Sequence, residues 1–363
     1  MYNPGDAPTR TMAPSSPFAF AFALALALAA LAPARAAAAT PFYTVAVSDK
    51  GAVPAMSIKK AVGQGFGPCT CIFNPAYFQA SLGPGLTSDI IVARVSGCTP
   101  DFGGAADHLL YAECAADGTC GDLQPLAFNG TDSFGPGAED PRVFVYNGEW
   151  YLYYYTPGPG QQTVSLRKTA TPLVPSSWTL VAANLNWHRN GCVIIDPYKN
   201  GTHLVIWGET SAIGIGISST TDFATYDTLN VTWMEPNGPS NPTAPEVVLE
   251  AATAPVRLST GDYLHIYAAG TPGWVANGNY TGGFVILDRD DPTKIVQRGA
   301  THVFMPTMDY EIGMGTGIWP VQRNRTLFVT ALIPVPGEVD TFRAWWGAAD
   351  ANVATGIVTV THS

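Results

Sequence analysis

Across residues 41–363, apolar positions come in short runs that alternate with polar ones and do not recur every three or four residues, so the pattern predicts strands and hardly any helix. Five runs resemble one another: Asp89–Arg94, Trp150–Tyr155, His203–Trp207, Tyr263–Tyr267 and Thr326–Thr330. Each follows a turn-type residue (Ser88, Gly148, Gly201, Gly261 and Asn324), and successive copies lie about 50 to 65 residues apart, near the period of a four-stranded propeller blade. Further strand-like runs at Thr171–Leu180, Thr220–Trp233 and Asp288–Gln297 fit one strand pairing with the next inside a blade. The expected fold is all-β, a five-bladed β-propeller forming a single domain over residues 41–363; a β-sandwich with long loops is the alternative. The run Ile213-Gly214-Ile215-Gly216-Ile217 reads as strand with close backbone approach, not as a phosphate-binding loop.

The first residues change the picture of where the chain works. Arg10 precedes an apolar run, Phe18–Ala32, which is bounded by Pro17 and Pro33 and followed by Ala34-Arg35-Ala36. This predicts a signal peptide over residues 1–36 and a secreted protein. The run is shorter than the ~20 residues of a membrane-spanning helix, which leaves a retained signal anchor as the alternative. No later segment is long and apolar enough to span a membrane. In an oxidising compartment the six cysteines (Cys69, Cys71, Cys98, Cys114, Cys120 and Cys192) are expected to form disulfides, with the connectivity open. Cys69-Thr70-Cys71 has no histidine nearby, so no metal site is expected. Asn129, Asn200, Asn230, Asn279 and Asn324 each begin an Asn-x-Thr sequon, which would mark surface loops of a glycoprotein in a eukaryotic secretory pathway.

A net charge of −10 without any basic cluster argues against nucleic acid as a partner. The 9 Trp, 15 Tyr and 16 Phe provide aromatic faces for a core and for stacking on sugar rings. In a chain with only 13% charged residues, Glu139, Asp140 and Arg142 crowd around Pro141 just before an aromatic run. Pro141 lacks the N–H of a mid-strand residue, so these charges belong at a strand entrance. Regular alternation would turn Asp140 and Arg142 to one face and Glu139 to the other. A carboxyl group beside a fixed guanidinium suits acid catalysis or binding of sugar hydroxyls, and equally a structural ion pair.

An ordered set of motifs carries a family resemblance. The set comprises Phe73-Asn74-Pro75-Ala76, Arg94, Gly137–Arg142 with the following aromatic strand, Leu287–Lys294, Tyr310-Glu311-Ile312-Gly313 and Trp345–Asp350. With these, the chain resembles glycoside hydrolase family 130, five-bladed propellers that act on β-mannosides, many as inverting phosphorylases. The resemblance implies an oligosaccharide or glycan substrate and no cofactor. It makes Asp140 the general acid, passing its proton to the leaving oxygen through a mannose hydroxyl. Asn74, Arg94, Glu139, Arg142, Tyr310, Glu311 and Asp350 would line the same funnel. A general acid must hold its proton when substrate binds, which requires burial or a neighbouring carboxylate such as Glu139. The phosphate clamp of the family's phosphorylases departs here. Gln162-Thr163, His188-Arg189-Asn190 and Ala268-Ala269 stand where those enzymes carry an arginine, a lysine–aspartate pair and a histidine. Loss of cationic donors weakens phosphate recognition, so hydrolysis is expected over phosphorolysis. The alternatives are a phosphorylase using inorganic phosphate through His188 and Arg189, and a glycan-binding propeller without catalysis. An inverting hydrolase needs a second carboxylate, for which Glu311 is the first candidate; Glu209 and Asp196 read as turn or surface acids. His203, His265 and His302 read as structural.

Overall fold

The computed structural model describes residues 41–52, 70–83, 86–97, 107–115, 120–126, 138–158, 161–185, 190–208, 211–218, 223–274, 278–313 and 324–363. Phe42–Ser363 forms one unit, a five-bladed β-propeller with every sheet antiparallel. Blade I holds β2 (Thr70–Gly83), β3 (Leu86–Gly97), β4 (His108–Cys114) and β5 (Gln124–Pro125). Blade II holds β6 (Glu139–Tyr146), β7 (Glu149–Gly158), β8 (Gln161–Thr169) and β9 (Thr179–Leu185). Blade III holds β10 (Cys192–Ile194), β11 (His203–Trp207), β12 (Ile213–Ser218) and β13 (Tyr226–Met234). In blade IV the inner strand is broken into β14 (Val248–Ala251) and β15 (Val256–Arg257), followed by β16 (Tyr263–Gly270), β17 (Tyr280–Leu287) and β18 (Ile295–Arg298). Blade V holds β19 (Leu327–Pro334), β20 (Thr341–Ala348) and β21 (Asn352–His362), and its outermost strand is β1 (Tyr43–Ala52). A single helical turn, α1 (Asp309–Ile312), lies between blades IV and V.

The ring closes by pairing its two ends: β1 runs antiparallel to β21, from Tyr43 opposite His362 to Ala52 opposite Ala354. This closure was not legible in the repeat pattern, which picks one strand per blade. Four of the five repeats are second strands (β3, β7, β11 and β16), whereas the fifth, Thr326–Thr330, falls on β19, an innermost strand. The reason is burial. Packed blades cover both faces of inner and second strands alike, so β19 and β16 read as the same continuous apolar run after a turn. The Ile213–Ile217 run is the second strand's neighbour, and its glycines admit the Trp207 indole: a Cβ on Gly216 would meet that ring at 2.6 Å.

All five inner strands begin at one end of the ring, and the second strands, running antiparallel, finish there. Residues at those strand ends therefore converge on one mouth of the axis. In three inner strands the register breaks at the same level, at Asn74-Pro75, Asp140-Pro141 and Thr330. Such bulges bend a strand and re-aim its side chains.

Candidate functional site

Asp140 occupies the bulge of β6 with φ 49°, and Asn74 occupies the matching bulge of β2 with φ 48°. Asn74 Nδ2 donates to Asp140 Oδ1 at 2.8 Å, tying the two inner strands together. Gly347 makes this approach feasible, because a Cβ there would lie 2.1 Å from Asn74 Oδ1. The hub is Arg94, on β3. Its Nη2 and Nε donate to Asp107 Oδ2 at 2.6 and 3.1 Å, and its Nη1 lies 2.9 Å from Glu139 Oε2 and 3.4 Å from Asp140 Oδ1. The guanidinium carbon sits 4.8 Å from the centre of the Phe73 ring. Burial opposes the charge on Arg94, but the carboxylates of Asp140, Asp107 and Asp350 outweigh it and raise its pKa. Asn74, Arg94, Glu139, Asp140 and Asp350 thus belong to one buried cluster, and the sequence had not pointed to Asp107, an acid at the entrance of β4. The strand-entrance criterion that drew attention to Asp140 would have found it.

The expected facing of the Glu139–Arg142 segment is corrected by the bulge. Glu139 pairs with Tyr155 and Arg142 with Tyr153, so two residues of β6 oppose one of β7 and simple alternation fails. Glu139 and Asp140 both reach Arg94, whereas Arg142 turns across the axis. Its Nε donates to Ala252 O at 3.0 Å, Nη1 to Pro141 O at 2.9 Å and Nη2 to Asn190 Oδ1 at 2.9 Å, with its carbon 5.0 Å from the centre of the Phe328 ring. Asn190, φ 66°, passes the contact on: its Nδ2 donates to Glu250 Oε2 at 3.2 Å. Glu250 lies on β14, half-buried, and opposite Ala268 in the register. The chain Arg142–Asn190–Glu250 therefore links blades II, III and IV at the same mouth. Asn190 falls in the His188-Arg189-Asn190 stretch of the altered phosphate clamp, whereas Glu250 did not stand out in the sequence, since a lone acid in Val248-Leu249-Glu250-Ala251 carries no motif.

Glu311 is held differently from the expectation of a water-activating base. It is fully buried, its Oε2 accepts Lys50 Nζ at 2.6 Å and the backbone N–H groups of Thr307 and Met308 at 2.8 and 3.0 Å, and its Oε1 accepts Trp346 Nε1 at 3.2 Å. These contacts cap α1 and fasten it to β1 and β20, the arrangement of a structural acid. Its neighbour Tyr310 packs into the core of blades IV and V, its carbonyl accepting Asn352 Nδ2 at 3.5 Å, and burial raises its pKa. Asp350 sits in the turn between β20 and β21 with φ 46°. His188 and Arg189, with Glu209 and residues 1–36, lie outside the described residues, as do the side chains of Gln162 and Thr163. Asp196 lies at the far end of blade III, accepting Tyr263 Oη at 2.6 Å. His203 and His265 are buried, and burial lowers the pKa of both, that of His265 to about 4. His302 bridges Thr281 and Glu246. Cys114 and Cys120 form a disulfide; Cys192 is a buried thiol that burial pushes up to about 11, Cys71 is buried, and Cys69 and Cys98 lie outside the described residues. Among the described residues no group of three or more His, Cys, Asp or Glu is arranged to hold a metal ion.

A family profile described as beta-1,4-mannooligosaccharide phosphorylase matches residues 128–362. The chain belongs to glycoside hydrolase family 130. Members of this family act on mannosides as phosphorylases or as glycoside hydrolases. No curated protein matches at a significant level. Among solved structures, one from work showing that the family's mannoside phosphorylases include glycoside hydrolases that target β-1,2 mannosidic linkages in Candida mannan aligns with a TM-score of 0.65 at 16% identity, covering 87% of this chain and 94% of that one. The β-1,2-mannobiose phosphorylase of Listeria innocua aligns with a TM-score of 0.63 at 16% identity, covering 87% and 96%. The mannose phosphorylase MPT-4 of Leishmania mexicana, solved with a phosphate ion, aligns with a TM-score of 0.57 at 13% identity, covering 86% and 88%. At these identities the likeness concerns the fold alone.

Proposed function

We propose that this family 130 member is a secreted inverting β-mannosidase in which Asp140 is the general acid and Glu250 the general base. One observation carries the choice of hydrolysis: the carboxylate of Glu250, hydrogen-bonded to Asn190 and opposite Ala268. By the resemblance, these are positions from which phosphorylases of the family hold phosphate. A carboxylate there repels a phosphate dianion and suits the activation of water. In the proposed step, Asp140 gives its proton, by way of a mannose hydroxyl, to the glycosidic oxygen as the bond from the anomeric carbon to that oxygen breaks. Water attacks the anomeric carbon from the opposite face and Glu250 takes the water proton, giving α-mannose from a β-linked sugar. Asn74, Glu139 and Asp350 around Arg94 serve the hydroxyls of the terminal mannose.

Incubation with β-linked mannobioses, with and without inorganic phosphate, tests the reading. Free mannose at the same rate in both is expected, with the α-anomer appearing first by NMR. Mannose 1-phosphate formed only with phosphate would replace it by a phosphorylase working through His188 and Arg189. Binding without any product would leave a glycan-binding propeller. Glu250→Gln is expected to lower kcat by about 10²–10⁴-fold with little change in KM; an unaltered kcat would remove Glu250 from the mechanism.

A further inference from the structure

Strand β13 is the outermost strand of blade III; among the described residues it pairs only with β12. Its segment from Asp227 to Thr232 is exposed at every position, on both faces, with Leu229 at 48% and Val231 at 66% exposure. Asp227 is the only charged residue between Tyr226 and Met234, and no proline interrupts the strand. An open edge of β-branched and aromatic residues with little charge is a template for pairing with another chain. The other outer strands are less open: β5 is two residues long, β18 is half-buried throughout, β1 carries Asp49 and Lys50, and β9, though uncharged, is partly covered at Val181, Ala182 and Leu185. Nothing comparable protects β13.

At the centre of this edge lies the sequon Asn230-Val231-Thr232. Asn230 is exposed, and its Oδ1 accepts Thr232 N–H at 3.0 Å and Thr232 Oγ1–H at 3.4 Å, while Nδ2 has no partner among the described residues. Asn279 contrasts with it: that sequon is half-buried, its backbone N–H is tied to Thr271 Oγ1, and buried Tyr280 and Thr281 follow. We propose that Asn230 carries an N-linked glycan that covers the open edge of β13. In the transfer, Asn230 Nδ2 loses a proton and bonds to the anomeric carbon of an oligosaccharide, whose bond to the diphosphate of a lipid carrier breaks. A hydrated, bulky glycan at mid-strand then blocks the approach of a second strand, the role charge plays on other edges.

The proposal rests on the secretory reading of the chain, and the experiment separates the two. The full chain is produced in a eukaryotic secretory host and the peptide containing Asn230 is analysed by mass spectrometry before and after enzymatic deglycosylation. The expected result is a leaderless secreted protein whose Asn230 carries a glycan and becomes Asp on its release. Secreted protein with a bare Asn230 overturns the site while leaving secretion standing; retained protein with an intact leader overturns both. The covering role has its own readout. Asn230→Gln and Thr232→Ala should form concentration-dependent aggregates by light scattering, Thr232→Ser should not, and adding Val231→Lys to Asn230→Gln should restore a monodisperse protein. A monodisperse Asn230→Gln variant at the same concentration would overturn that role.

Discussion

Asp140→Asn is expected to lower kcat on β-mannobiose by about 10²–10⁴-fold, the contribution of a positioned general acid, while the protein folds and binds the sugar normally. Asp140 sits in a bulge where Asn74 Nδ2 donates to it at 2.8 Å, and an asparagine Oδ1 can accept the same bond. Arg94 keeps Asp107 and Glu139 as partners, so removing one carboxylate leaves no charge stranded. The signature of a proton donor is dependence on the leaving group. The loss should be severe for a sugar leaving group and should shrink for an aryl mannoside whose phenol departs without protonation, because that bond breaks without help. Calorimetric titration with mannobiose should give unchanged affinity. Equal losses on both substrates would make Asp140 a binding residue, and retained turnover would remove it from the chemistry.

How much of this was legible follows from what one residue can report about its neighbours. Strand content and blade number are local properties repeated along the chain, and runs such as Tyr263–Tyr267 display them because packed blades bury both faces. The pairing of β1 with β21 is not local: nothing in Tyr43–Ala52 names its partner some three hundred positions away, and only ring closure supplies it. The Glu139–Arg142 cluster stood out because charge is scarce, yet its facing was misjudged, since a bulge shifts alternation by one residue without a compositional mark. Pro75 and Pro141, each following a positive-φ residue, are the nearest thing to a signal for those bulges. Glu311 stood out within a motif and turned out to cap α1, whereas Glu250 lay in a plain apolar strand and gained its place only when three blades brought Arg142 and Asn190 to it. Single acids acquire meaning from partners distant in sequence, and those partners are set by the fold.

The largest expected effect on stability comes from Arg94→Met. Arg94 is 6% exposed, and its guanidinium serves Asp107, Glu139 and Asp140 at once. Methionine fills much of the stem's volume and keeps contact with Phe73, so the cost comes mainly from stranded carboxylates and not from a void. Breaking a buried ion pair by removing one partner costs about 3–5 kcal/mol, and here several acids lose the same partner. The variant should therefore unfold at markedly lower denaturant, with the slope of the transition unchanged. Acidification should narrow the gap from wild type, because protonation relieves the uncompensated charge. Arg94→Lys should fall between the two: a single ammonium can reach Asp107 or Glu139 but cannot fork to both as the guanidinium does. A double variant, Arg94→Met with Asp107→Asn, should recover part of the loss, since Asp107 makes the two shortest-range contacts of Arg94 outside β6. If Arg94→Met were as stable as wild type at neutral pH, the cluster would owe its form to substrate binding alone, and activity in place of stability would be the only property to change.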